Sequence, residues 1–238
     1  MEKVYKKHAG EHWHRWIERR PTPLLVATLI VILIGGAVEM IPTFMIKSNI
    51  PTIASVKPYT PLELQGRDLY VREGCYVCHS QMIRPFRSET ERYGEYSKAG
   101  EFVYDHPFQW GSKRTGPDLA REGSSLLKKS DTWHFNHLDD PQSMSTGSVM
   151  PSYSFLIDNA LDTTTTAGKI RAMQKLGVPY PAGYDKIANK DLMRQASEIV
   201  TNLRKDSVRV KSDREIIAII AYLQRLGTDI SKNKTAKQ

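Results

Sequence analysis

Apolar positions are spread unevenly along this chain. Leu24 to Val38 is a run of fifteen residues in which only Thr28, Gly35 and Gly36 interrupt small and aliphatic side chains, and through Ile46 it lengthens to twenty-three residues with one charge, Glu39. At ~1.5 Å per helical residue such a run crosses a hydrocarbon layer of ~30 Å. The pattern therefore predicts a transmembrane anchor over 24–46. Pro21 and Pro23 suit the first turn of that helix, and Pro42 is expected to kink its exit. A buried helix of a soluble domain is the plainer reading, but the length argues against it. A cleaved signal would need a small-residue site nearer the run than Thr52-Ile53-Ala54.

Beyond the run the period changes. Residues 47–60, with Pro51 and Pro58, show no repeat and read as an extended linker. Thr60-Pro61-Leu62-Glu63 has the form of a capping box and opens a helix running into Cys75. Residues 81–125, rich in Gly, Pro and aromatics, read as long loops, and 162–166 as a polar connection. Amphipathic helices are predicted over 168–176, stopped by Gly177, and over 188–204, with Leu192, Ala196, Ile199 and Leu203 on one face. Ser212 and Glu215 form a second capping box before a stripe of Ile216, Ile220, Leu223 and Leu226, stopped by Gly227. Residues 231–238 read as a disordered tail. No stretch alternates as a strand would, so 61–230 is expected to be mainly α.

The mean hydropathy of −0.45 conceals the anchor by averaging it with a polar remainder. Net charge is +8, divided as +3 over 1–23, −1 in the anchor and +6 beyond it. Lys3, Lys6, Lys7, Arg15, Arg19 and Arg20 precede the anchor, against Lys47 and Lys57 just after it. This asymmetry predicts a cytoplasmic N-terminus and an exported domain; no nucleic-acid partner is expected. Trp13 and Trp16 fit the interfacial belt, and Glu39 is expected to face another subunit or to reach the outer interface.

Only two cysteines occur, in Cys75-Tyr76-Val77-Cys78-His79. C-x-x-C-H is the attachment motif of c-type haem. Two thiols three residues apart on a turn reach the two vinyl groups of one porphyrin, and the adjacent histidine is placed to ligate its iron. A redox dithiol would need a thioredoxin-like βαβ context, which is missing. A Cys₂His₂ zinc site from Cys75, Cys78, His134 and His137 is the stronger rival, but H-x-x-H is short for it and His79 would have no role. His134 and His137 therefore read as surface or structural residues. For a sixth iron ligand Met82 is too close to the motif, and Met173 and Met193 belong to amphipathic helices, where core packing is expected. Met150 is the first choice, since Pro151 holds it extended; Met144 is the second. The Pro117 carbonyl in Gly116-Pro117-Asp118-Leu119 is placed to accept the ring proton of His79.

The stretch from Gly66 to Gly123 (GRDLYVREGCYVCHSQMIRPFRSETERYGEYSKAGEFVYDHPFQWGSKRTGPDLAREG), and then Ser148-Val149-Met150-Pro151, resembles the membrane-anchored monohaem cytochrome c subunit, subunit II, of cbb3-type (C-family haem–copper) cytochrome c oxidases. The resemblance is densest over 59–123 and looser in the last helix. It implies a class I cytochrome c domain with long insertions, in which the helix before Cys75 crosses the 213–227 helix and Gly66 and Tyr70 face Tyr222. It implies one haem c on Cys75 and Cys78, with His79 and Met150 as axial ligands. Thirty-six residues separate His79 from Gly116, an insertion that fits the oxidase subunit better than a free carrier. The implied role is electron relay from a cytochrome c donor to the haem b and haem–copper centre of catalytic subunit I, beside a dihaem cytochrome c subunit, in a bacterial inner membrane with the haem domain periplasmic. The chain itself would make no bond in oxygen chemistry. Arg84 and Arg87, with Lys113 and Arg114, are candidate propionate contacts, with solvated surface as the alternative. The near rival is the cytochrome c subunit of a nitric oxide reductase.

Overall fold

The computed structural model describes residues 13–46 and 51–230. The expectations for Lys3, Lys6 and Lys7, for the first residues of the linker, and for the 231–238 tail lie outside them. The chain divides into two compact units, Met1–Pro51 and Thr52–Gln238.

In the first unit a short helix α1 (Trp13–Glu18) precedes α2 (Pro21–Met45). The 25 residues of α2 exceed the ~30 Å that a membrane core requires. Its best window has a mean hydropathy of 2.6 and none of it is buried. Leucine, isoleucine and valine point outward all round it, from Leu24 at 41% exposed to Val38 at 70%. Such a surface fits lipid rather than water. Pro42 lies inside the helix, which continues to Met45.

The second unit is helical; among the described residues it holds no strand, only an isolated bridge between Ala160 and Arg214. Its elements are α3 (Pro61–Arg72), α4 (Arg87–Tyr93), α5 (Asp131–Asp139), α6 (Pro141–Met144), α7 (Phe155–Asp158), α8 (Thr166–Lys175), α9 (Tyr184–Lys205) and α10 (Glu215–Arg225). The core forms where α3 crosses α10. Ile216, Ile217, Ala218, Ile220 and Tyr222 are each 0% exposed, so α10 is buried around nearly its whole circumference. At the crossing a Cβ on Gly66 would lie 1.9 Å from the Ala218 carbonyl oxygen, so only glycine permits this approach. Tyr70 and Tyr222 pack there with ring centroids 5.3 Å apart. The crossing expected for Gly66, Tyr70 and Tyr222 is the one the chain adopts. Helices α8 and α9 pack Ile170 and Ala188 against Leu64 of α3.

Several boundaries differ from the sequence reading. The Thr60 box stands, with Glu63 Oε2 accepting from Thr60 N at 2.8 Å. The Ser212 box does not form, because α10 starts at Glu215. The Glu215 carboxylate is taken instead by Arg72, at 2.6 and 2.7 Å, and by Asn159 at 3.2 Å. Helix α3 stops at Arg72 rather than reaching Cys75, because Gly74 turns the chain with φ 69°. The loop region 81–125 contains α4, whose Glu89 bonds back to Arg84 N at 2.8 Å. Met193 is exposed on α9, not in the core, whereas Met173 packs beside Ile170 and Ala188.

Candidate cofactor-binding site

The Cys-x-x-Cys-His segment is one tight turn after α3. Cys75–Val77 forms a 3₁₀ turn, and the Cys75 carbonyl accepts from Cys78 N at 3.2 Å and His79 N at 2.9 Å. Cys75 is half-buried and Cys78 exposed, both as free thiols. Burial pushes the Cys75 thiol up to about 12. The turn borders a cavity of about 370 Å³ lined by Cys75, Cys78, His79, Pro117, Met150 and Tyr153 among others. A smaller recess of about 90 Å³ adjoins the same residues and is walled by Tyr70, Leu119, Leu138, Ile219 and Leu223. The α3–α10 core thus supplies an apolar floor beneath the motif.

His79 is fixed from behind. Its Nδ1–H donates to the Pro117 carbonyl at 2.9 Å, which leaves Nε2 as the ring's free lone pair. Burial lowers its basicity, and the bond to Pro117 partly offsets this. A Cβ on Gly116 would lie 2.3 Å from His79 Cε1, so the ring lies flat against a glycine. The wall behind is pinned at successive positions: Gly116 N to Cys78 O at 3.0 Å and Leu119 N to Ser80 O at 2.8 Å. The buried Asp118 carboxylate accepts from Ser80 Oγ at 2.6 Å, Met82 N at 3.0 Å and Ala120 N at 2.9 Å. Arg114 joins this set to Glu89 at 2.7 Å.

Helix α5 forms another wall. Ser130 caps it, accepting from Trp133 N at 3.0 Å. Trp133 and His137, one turn apart, stack at 4.5 Å and both line the cavity. His137 Nδ1 and His134 Nε2 are buried without a hydrogen-bond partner. His134 is 3% exposed and burial lowers its pKa to about 4; its nearest acid, Glu122, is 3.8 Å away. Of the two histidines the sequence reading takes as surface or structural, His134 is buried and His137 lines the cavity beside Trp133, which that reading does not single out. The signal it missed was the i,i+4 spacing of Trp133 and His137, which puts both on one helix face.

Met150 is half-buried against the main core and lines both cavities with His79. Met144, at the end of α6, lines neither. Arg84 and Arg87 are not among the lining residues: Arg84 pairs with Glu89, and Arg87, 91% exposed, pairs with Glu91 at 2.7 Å. Arg114 is likewise held by Glu89 and Asp118. Their charge is thus satisfied within the protein, which is why they do not turn to the cavity. Among the described residues no three His, Cys, Asp or Glu side chains gather as a metal cluster, so the Cys₂His₂ alternative is not assembled. The residues present do fit a c-type haem. Two free thiols, an imidazole with its lone pair unengaged, a thioether sulfur and an apolar floor share one cavity.

A comparison with curated proteins finds no match. The family model for the cytochrome c oxidase mono-haem subunit, FixO, matches residues 14–230. The chain therefore belongs to that family, a family of haem-containing, membrane-bound cytochrome c subunits, and works in electron transport as part of an oxidase complex.

Proposed function

We propose that this oxidase subunit relays electrons through a single haem c, held covalently by Cys75 and Cys78 with His79 and Met150 as the axial ligands. The observation that carries the reading is that these four residues, 75 positions apart at their extremes, line one cavity. Bound there, haem c supplies a one-electron iron couple. Everything else is done by the chain. Pro117 holds the His79 ring proton at Nδ1 and so presents Nε2 inward. Gly116 lets the ring lie against the backbone. Leu119, Leu138, Ile219 and Leu223 exclude water from the floor. Met150 brings a thioether, whose ligation raises the reduction potential.

In this reading a cytochrome c donor delivers electrons, and the acceptor is the haem b and haem–copper centre of catalytic subunit I, which reduces dioxygen to water; a dihaem cytochrome c subunit completes the complex. Helix α2 anchors the chain in a bacterial inner membrane, N-terminus cytoplasmic and haem domain periplasmic, as the basic flank favours. The test is the visible spectrum and metal content of the purified complex. A Soret band, a pyridine haemochrome on this chain and copper in the complex are expected. A chain without covalent haem, or a binuclear site with non-haem iron and no copper, overturns the reading.

A further inference from the structure

Residues 160–214, between the Met150 segment and the last helix, line no part of the cavity, yet they hold most of the net charge beyond the anchor. Residues 160–214 carry eleven Lys and Arg against six Asp and Glu, or +5 of the +6 beyond the anchor. The acids there are already engaged. Asp185 pairs with Arg171 at 3.0 Å, and Asp191 and Glu198 pair with Arg194 at 2.6 Å each. Asp206 accepts from Thr132 at 2.6 Å, and Asp162 from Thr164 at 2.6 Å. Asp213 pairs with Arg214 at 3.5 Å. Lys175, Lys186, Lys190, Arg204, Lys205, Arg209 and Lys211 are exposed, and no ion pair engages them among the described residues. The arginines around the Cys-x-x-Cys-His turn behave oppositely: Arg67, Arg72, Arg84, Arg114 and Arg121 are each matched to a carboxylate.

Three of these cations, Arg204, Lys205 and Arg209, lie where the insertion meets α5, and of them Lys205 donates to the neutral Asn202 at 3.1 Å. The end of α9 is tied to the start of α5 by Asn202 to Asp131 at 3.1 Å and Thr132 to Asp206 at 2.6 Å. Arg204 and Arg209 share one surface recess there. Just before α5, Lys128 and Lys129 are also exposed, and Lys129 Nζ lies 5.5 Å from the centre of the Trp133 ring. Trp133 is itself a wall of the cavity.

We propose that Lys128, Lys129, Arg204, Lys205 and Arg209 form a docking face for an acidic electron-carrier protein, seating it against the Trp133 side of the cavity. The proposal rests on the function proposed above. One electron leaves the carrier, which is oxidised, and enters the site, which is reduced; no bond is made and no proton moves. Unpaired, solvent-facing cations raise the encounter rate with an acidic partner and make it salt-dependent, at little cost to the fold.

The test uses the intact complex and two soluble monohaem cytochromes c as probes, one acidic and one basic. Carbodiimide cross-linking, mapped by peptide mass spectrometry, is expected to join carboxylates of the acidic probe to Lys128, Lys129 or Lys205, and not to Lys186 or Lys190. Stopped-flow reduction by the acidic probe is expected to slow as ionic strength rises from about 10 mM to about 0.15 M, where the screening length falls from ~30 to ~8 Å. Lys205→Glu with Arg209→Glu is expected to slow it about tenfold at low salt, and Lys186→Glu with Lys190→Glu less than about threefold. Unchanged turnover with ascorbate and a small mediator shows that the variants assemble. Equal losses in the two double variants, a rate indifferent to salt, or cross-links elsewhere overturn the proposal. So does a loss seen only in phosphatidylglycerol nanodiscs and not in detergent, which would assign the face to lipid. An absent haem spectrum would instead overturn the function reading alone.

Discussion

Behind His79 the backbone is tied down at nearly every step, while across the cavity the segment carrying Met150 is held by few bonds. On the first side, Cys78, Ser80, Met82, Gly116 and Leu119 all enter hydrogen bonds with one another or with Asp118, and Asp118 is itself 1% exposed. On the second, residues 145–147 and Val149 are exposed; Ser148 Oγ accepts from Met150 N at 3.2 Å, and Gln142 reaches the Ser148 carbonyl at 3.3 Å. Firm anchoring resumes only at Ser152 and Tyr153, which bond to the carbonyls of Asp139 and Leu138. The rigid side fixes one ring in one tautomer, which needs a wall that does not yield. A thioether on three rotatable bonds reaches its target without such a wall. The contrast teaches that a ring held in one orientation and a flexible thioether call for different amounts of protein.

The sharpest way to break the rigid side is Gly116→Ala. Its methyl would occupy the His79 ring, and overpacking of this kind costs ~1–3 kcal/mol even where neighbours can shift. The share of chain with a low-spin, histidine-ligated spectrum is expected to fall about tenfold or more. On the adaptable side, Met150→Leu should abolish the methionine-ligated spectrum and lower the reduction potential, with circular dichroism unchanged; Met144→Leu should keep both. The reverse result would transfer the ligand role to Met144.

Acid should distinguish the two sides next. Arg114, with further bonds from Arg84, holds the Glu89 carboxyl down at about 2, below its ordinary 4.5. A carboxylate depressed in the folded state stabilises fully above its unfolded value and loses that contribution as pH falls towards the folded one. Thermal midpoints should therefore drop between about pH 4.5 and 2, and Glu89→Gln should flatten that part of the profile. The smallest effect is expected at Gly147, with φ 77° and open space around a Cβ. Gly147→Ala meets only backbone strain, about 1 kcal/mol, visible as a fall of about 2–4 °C in Tm with the ligation spectrum intact.

What could be read from the sequence is what is local in it. The anchor is a continuous run, and Cys75, Cys78 and His79 share one turn, so composition and spacing suffice. The Pro117 carbonyl could be named from its Gly-Pro turn, and it accepts from His79 Nδ1 at 2.9 Å, whereas the close approach at Gly116 shows only in the fold. The α5 wall was not, since Trp133 and His137 become cavity residues only once α5 is laid against the motif turn. Glu215 shows the same limit. Its spacing from Ser212 satisfies a capping pattern, but Arg72, 143 residues earlier, competes for the carboxylate with two hydrogen bonds. A short local bond loses to a bidentate ion pair that no window of sequence contains. Arg84 and Arg87 do not line the cavity, and each pairs with a carboxylate of α4 within five residues.

The crossing of α3 with α10 also sets a timetable. The helix that leads into the cysteines buries itself against α10, at an approach that only glycine at position 66 permits. Ile170 of α8 and Ala188 of α9 can meet Leu64 of α3 earlier, but the main face of α3 waits for α10, and contacts this distant in sequence form late because a long loop must be closed first. Until that contact forms, Cys75 and Cys78 lie on a stretch whose core side is still open. The docking of α10, through Ile219 and Leu223, then closes the core side of the cysteine turn, so that this turn is completed by a helix far from it in sequence.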